Sequence, residues 1–177
     1  MPVVPDILAS WRRPRAVIAR KLADGVREDR AIATVMGACG LIFVAQWPGL
    51  AREAHLTRIA AEMAGTPLDQ VPSLQALMGA RLLALVFIAP LVFYALAAAS
   101  HLVARLFGGR GTGFGARMAL FWALFCTTPA ILLQGLVGGF LGAGAAATVV
   151  GLMVLALFLY LWVNMLIEAE RHAADGR

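Results

Sequence analysis

From residue 118 to residue 167 the chain runs for fifty residues without one charged side chain. A single helix of that length would be roughly 75 Å long, against about 30 Å for the hydrocarbon core of a bilayer. The run therefore has to fold back on itself. Gly138, Gly139, Gly142 and Gly144 mark the reversal, which gives apolar helical segments over 118–137 and 145–167. Composition points the same way. The chain is 61% hydrophobic and 14% charged, with a mean hydropathy of +0.81, whereas soluble domains are roughly 45–50% apolar and about a quarter charged. A water-soluble fold of this length cannot hide so much apolar surface, so an all-α polytopic membrane bundle is expected.

Two further segments complete it. Residues 31–47 carry no charge and would rise roughly 26 Å as a helix, near the lower limit for a span. Gln46 and Trp47 suit an interface, and Pro48 is expected to stop or bend the helix. Gly37 and Gly40, with Ala33, offer a face for close contact. The other segment covers 78–103, with Pro90 near its centre and Ser100, His101 and Arg105 at its end. Between these two segments Leu50, Ala54, Leu56, Ile59, Ala60 and Met63 form an apolar stripe that reads as a short amphipathic helix. Gly65, Pro67 and Pro72 break it, and Ser73 is placed to cap the next helix. The count is about four spans plus short interfacial helices. Residues 1–30 form a basic amphipathic segment, 31–167 the bundle and 168–177 a tail.

The first thirty residues are not a cleavable signal, because Arg12, Arg13, Pro14, Arg15, Arg20 and Lys21 interrupt every candidate apolar core. From residue 15 to residue 26 the spacing suits a helix lying on the membrane surface; a loosely ordered basic tail is the alternative. With this segment in the cytoplasm, twelve of the fifteen Lys and Arg residues fall on the cytoplasmic side. Only Arg52, Arg58 and Arg81 fall on the other, which is the sorting of the positive-inside rule. Both termini are then cytoplasmic. Arginine outnumbers lysine fourteen to one, a bias of GC-rich bacterial genomes, so the expected location is a bacterial inner membrane. The net charge of +5 fits anionic headgroups at the cytoplasmic face, and no nucleic-acid motif accompanies it.

Candidate contact residues emerge from that sorting. Arg12, Arg13, Arg15, Arg105, Arg110 and Arg117 are the cations placed to meet lipid or a protein partner. The connection over 107–117 is basic and glycine-rich. It reads as a flexible turn or as a partner-binding loop. A nucleotide-binding reading lacks both the preceding strand and a Lys-Ser/Thr pair. His101 reads as an interfacial anchor or, less in keeping with its position, as a proton relay. Gln134, Asn164, Thr127 and Thr128 are the polar residues inside the spans. They are candidates for contacts between helices, and Thr127 and Thr128 also for bonding carbonyls freed by Pro129. Glu168 lies at helical spacing from Arg171 and His172, as in a solvated helix end. Cys39 and Cys126 both lie in apolar segments and form no ligand motif. No acid–base pair, activated nucleophile or metal-ligand spacing appears, so catalysis, cofactors and metals are not expected.

The stretch from Leu102 and Leu106 through Gly108, Gly109, Arg110 and Gly111 to Phe121, Trp122 and Pro129 resembles the Yip family, small multi-spanning membrane proteins. In short bacterial members a leucine-rich span end is followed by a Gly-Gly-basic-Gly turn and an aromatic span with a central proline. Trp11, Arg12, Arg13 and Pro14, followed by a basic helix, resemble the start of such members. The resemblance covers about residues 7–167. Members commonly have five spans, where four are counted here. It implies a non-enzymatic membrane protein that binds partners or organises the membrane. Eukaryotic relatives bind Rab-type GTPases, a partner that does not transfer to a bacterial chain. The alternatives are an accessory or assembly subunit of a larger respiratory or photosynthetic complex, and a small transporter using Gln134 and Asn164.

Overall fold

A computed structural model describes residues 3–172. Among them the elements are α1 (Val3–Arg12), α2 (Pro14–Ala23), α3 (Glu28–Ala64), α4 (Leu74–Leu83), α5 (Ala89–Leu106), α6 (Gly113–Leu141) and α7 (Ala145–His172). A 3₁₀ turn at Leu68–Gln70 precedes α4, and a π-helical turn at Ala84–Ile88 joins α4 to α5. Four stretches are long and apolar enough to cross a membrane: Glu28–Ala64, Leu68–Leu106, Gly113–Leu141 and Ala145–Arg171. The expected all-α bundle of about four spans is the one observed. Asp175 and Arg177 of the tail, and the side chain of His172, lie outside the described residues.

Helix α6 is the hub. It packs most extensively on α3 and α7, and α5, α2 and α1 close around it. Between Phe114 and Thr128 it is buried on nearly every face, as expected of a helix that is apolar all round. On α4–α5 and α7 the balance reverses, with Phe87, Leu91, Leu152 and Met153 among many exposed apolar side chains. These faces have the chemistry of a lipid-facing surface.

Helix α3 crosses the second half of α6 at close range. A Cβ on Gly135 would fall inside the Ala45 carbonyl, and one on Gly139 would meet the Pro48 ring and backbone. The two glycines are four residues apart, so both lie on the face of α6 that α3 covers. Gly138, between them, has nothing within 4 Å of its virtual Cβ. On α3, Gly37 takes the Phe125 ring at 3.2 Å, whereas Gly40 meets nothing.

Several boundaries differ from expectation. Pro48 does not stop the first helix: α3 continues to Ala64. Gly139 leaves room for the proline ring, and residues 50–64 are mostly strong helix formers. The amphipathic stretch is therefore the continuation of α3, not a separate element. Gly138 and Gly139 belong to α6, and the reversal falls at Gly142, whose φ of +77° favours glycine. The Arg52 guanidinium lies 3.5 Å from the Gly139 and Phe140 carbonyls, where a cation suits a helix C-terminus. The glycine-rich connection is shorter than 107–117, because Thr112 accepts the Gly115 N–H at 3.1 Å and starts α6 at Gly113. Ser73 does cap α4, accepting the Ala76 N–H at 3.2 Å.

The prolines in α5 and α6 are handled differently. Ahead of Pro90 the ladder widens into the π turn, and the Ala89 N–H reaches back to the Ala84 carbonyl. In α6 Pro129 removes the donor that would serve the Phe125 carbonyl, and the Thr128 hydroxyl donates to that carbonyl instead at 2.8 Å. Thr127 donates to the Ala123 carbonyl at 2.8 Å. Both threonines thus bond within α6 and not between helices, because a β-hydroxyl on a helix reaches the preceding turn more readily than a neighbour. Thr128→Val is expected to lower stability by about 1 kcal/mol. In a Pro129→Ala background the restored N–H should remove at least half of that loss. Equal losses in both backgrounds, measured by denaturant unfolding in detergent, would sink this assignment.

Candidate functional site

Apart from Arg52 at the far end of α6, the side-chain hydrogen bonds and ion pairs that tie helices together among the described residues lie at one end of the bundle. Helices α1 and α2 form a pair joined at Pro14, which occupies the first turn of α2 where its missing N–H is harmless. Asp6 of α1 is buried and accepts from Arg20 and, at 3.2 Å, from Lys21 of α2. Lys21 also stands 3.6 Å from the centroid of the Trp122 ring, a cation–π contact. The Trp122 indole N–H donates to Ser10 Oγ at 3.0 Å, and the Trp11 indole N–H donates to the Cys126 carbonyl at 2.9 Å. With Val17 and Ile18 buried beneath, the pair is docked into the bundle around the first half of α6.

The remaining ends are tied to the same region. Arg15 donates through Nε to Asn164 Oδ1 at 3.0 Å, joining α2 to α7. Arg117 pairs with Glu28, joining α6 to α3. Just ahead of α3, Arg27 donates to Asp29 at 3.0 Å, and that hydrogen bond raises the pKa of the exposed guanidinium above its ordinary value.

The glycine-rich connection is held by one carboxylate. Glu170 is buried near the end of α7. Its Oε1 lies 2.8 Å from His101 Nδ1, and its Oε2 accepts the Gly111 N–H at 2.8 Å. The Arg110 N–H donates to the Glu170 carbonyl at 3.3 Å. A carboxylate only accepts, so with Glu170 ionised the pair is made by the tautomer of His101 that has its proton on Nδ1. The glycines are required by the approach. A Cβ on Gly109 would stand 2.7 Å from Glu170 Oε2, one on Gly111 would stand 2.7 Å from the Glu170 Cα, and Gly108 has a φ of +87°. Instead of a flexible turn, the connection is a clamped one, and Glu170, two residues beyond Glu168 on the helix end read as solvated, is buried. His101 is thus paired with Glu170 at the end of the bundle and not in its middle.

Of the six cations picked out in the sequence, Arg15 and Arg117 are engaged as described. Arg12, Arg13, Arg105 and Arg110 are exposed and form no side-chain hydrogen bond or ion pair among the described residues. Asn164 meets Arg15, while Gln134 sits far along α6 over Gly151 of α7. Thirteen residues of α7 separate Gly151 from Asn164, about 20 Å of helix, so the two carboxamides are not brought together. Sequence reading missed Asp6, Ser10 and Glu170. The signals were a proline able to start a second helix, and a carboxylate within reach of a glycine-rich turn.

This arrangement defines a class: a polytopic helical membrane protein with a short helical pair docked at its basic end. The chain matches the Yip1 domain family over residues 8–175. It belongs to that family. No curated protein and no solved structure matches it.

Proposed function

We propose that the chain is a non-enzymatic inner-membrane protein whose basic end faces the cytoplasm and binds protein partners beside anionic lipid. The observation that carries this reading is the division of labour among its cations. Those that hold the fold together are paired, and Arg12, Arg13, Arg105 and Arg110 are left exposed at the same end. A fixed surface carrying unpaired arginines favours acidic partners and anionic headgroups. The excess of positive charge at that end supports its cytoplasmic orientation.

The test is a pull-down in mild detergent, with quantitative mass spectrometry, comparing the parent chain with an Arg12→Gln, Arg13→Gln, Arg105→Gln, Arg110→Gln variant. Partners are expected to fall by at least about tenfold at equal expression, a loss of about 1.4 kcal/mol or more. Unchanged recovery would overturn the reading. A large complex retained stoichiometrically by both forms would replace it with the accessory-subunit role.

A further inference from the structure

A cavity of about 330 Å³ lies between the N-terminal helical pair and the start of α3 and α6. Its lining includes the cations Lys21, Arg27 and Arg30, and Ala33, Thr34, Met118 and Phe125. Trp122 also lines it, with Lys21 over its ring. No carboxylate lines it. Asp6, Asp29 and Asp24 each hold one of the three cations from the flank, at 3.2, 3.0 and 2.9 Å. A lysine has three N–H donors and an arginine five, so each cation keeps donors for a further anion.

From the observed geometry we propose that this cavity is a specific site for the phosphate headgroup of one anionic phospholipid. The proposal deepens the reading of the basic end as lipid-binding, yet it uses a different set of cations. Three features carry it. The lining itself offers three cations and no carboxylate, and although Asp6, Asp29 and Asp24 hold them from the flank, each keeps N–H donors that a phosphate can take. Along α3 the lining passes from Arg30 to Ala33 and Thr34, and α6 adds Met118, Trp122 and Phe125. Cations thus give way to apolar and indole groups, as they do between a headgroup and an acyl chain. The cations stand where the charged first turn of α3 gives way to its uncharged run at Ala31, which is where a headgroup would lie. The volume is at the small end of the range for ligand pockets. It suits a phosphoglycerol group with the first methylenes of its chains, the rest lying in the surrounding lipid.

The experiment is native mass spectrometry of the full chain released from vesicles of equal phosphatidylglycerol and phosphatidylcholine. One phosphatidylglycerol per chain is expected to be retained, with at least tenfold preference. Arg27→Gln with Arg30→Gln should reduce its retention at least tenfold, while Arg27→Lys with Arg30→Lys, which keeps the charge, should preserve most of it. Arg105→Gln with Arg110→Gln should leave it unchanged. Equal retention by the Arg27→Gln, Arg30→Gln form would overturn the site even if the exposed arginines still bind partners. Displacement of the lipid by millimolar glycerol 3-phosphate would overturn the lipid assignment in favour of a soluble phosphate ester.

Discussion

Gly135→Ala is expected to cost more than about 3 kcal/mol and to leave little folded protein in the membrane fraction. Inserting one methyl group into a well-packed core typically costs about 1–3 kcal/mol, because flexible side chains can move aside. Here the added Cβ would fall inside the Ala45 carbonyl, with the Ala45 Cα also in reach. Backbone of α3 cannot change rotamer, so the helices have to separate. That separation would also open the neighbouring contact of Gly139 with Pro48. In lipid the loss is not offset by a hydrophobic gain elsewhere, since helix association there rests on close packing. Gly138→Ala is the matched control. Its Cβ meets nothing within 4 Å, so better helix propensity should leave it neutral or stabilising by up to about 1 kcal/mol. Thermal unfolding in detergent, followed by tryptophan fluorescence, separates the two. A Gly135→Ala transition at the parent temperature would show that α3 and α6 are not in this contact.

That pair of glycines also shows where sequence reading stops. The uncharged run over 118–167 forces a helical hairpin, because a bilayer has one thickness and a helix one rise per residue. Length and hydropathy do not tell Gly135, Gly138 and Gly139 apart. Their roles depend on where Ala45 and Pro48 lie, and that is set by packing across the bundle. Pro48 misleads for a related reason. Taken alone a proline removes a bond and clashes with the preceding turn, but the missing Cβ of Gly139 accommodates its ring and α3 continues. Thr128 was legible as a partner for a carbonyl freed by Pro129, since a hydroxyl and the preceding turn are local to one another. Asp6 was not, because the cations that satisfy it are contributed by the next helix, fourteen and fifteen residues later.

The docked helical pair alters what the basic N-terminal segment can do. A free amphipathic helix would partition onto lipid by itself, with its cations averaged over many headgroups. Here Val17 and Ile18 are buried against the bundle, so α2 is held at a fixed angle and height. Arg15 is held by Asn164, and Lys21 by Asp6 and Trp122. The cations left over are few and fixed in position. Fixed charges select among partners, where mobile ones only attract.

Glu170→Ala should release the glycine-rich connection without unfolding the bundle. The substitution removes the acceptor of the Gly111 N–H and of His101 in one step. Losing a charged acceptor for two partly buried donors costs about 2–4 kcal/mol locally. The expected readout is an increase of at least about tenfold in tryptic cleavage after Arg105 and Arg110, together with lost hydrogen-exchange protection over 107–112. Glu170→Gln should fall between, since its carbonyl oxygen can still accept from Gly111 while the charge facing His101 is gone. Gly111→Ala should reproduce the release from the other side, because its Cβ would stand 2.7 Å from the Glu170 Cα and 2.8 Å from the Ala169 carbonyl. Gly113→Ala should not, since its nearest neighbour would be the Arg117 guanidinium at 3.8 Å. Unfolding of the whole chain by Glu170→Ala would instead make the carboxylate a support of the bundle. Parent-like cleavage in both Glu170→Ala and Gly111→Ala would mean that the connection is held by something other than this clamp. The outcome bears directly on function, because Arg105 and Arg110 flank the clamped turn. Only while Glu170 holds it do they present a fixed pair of charges to whatever meets the basic end.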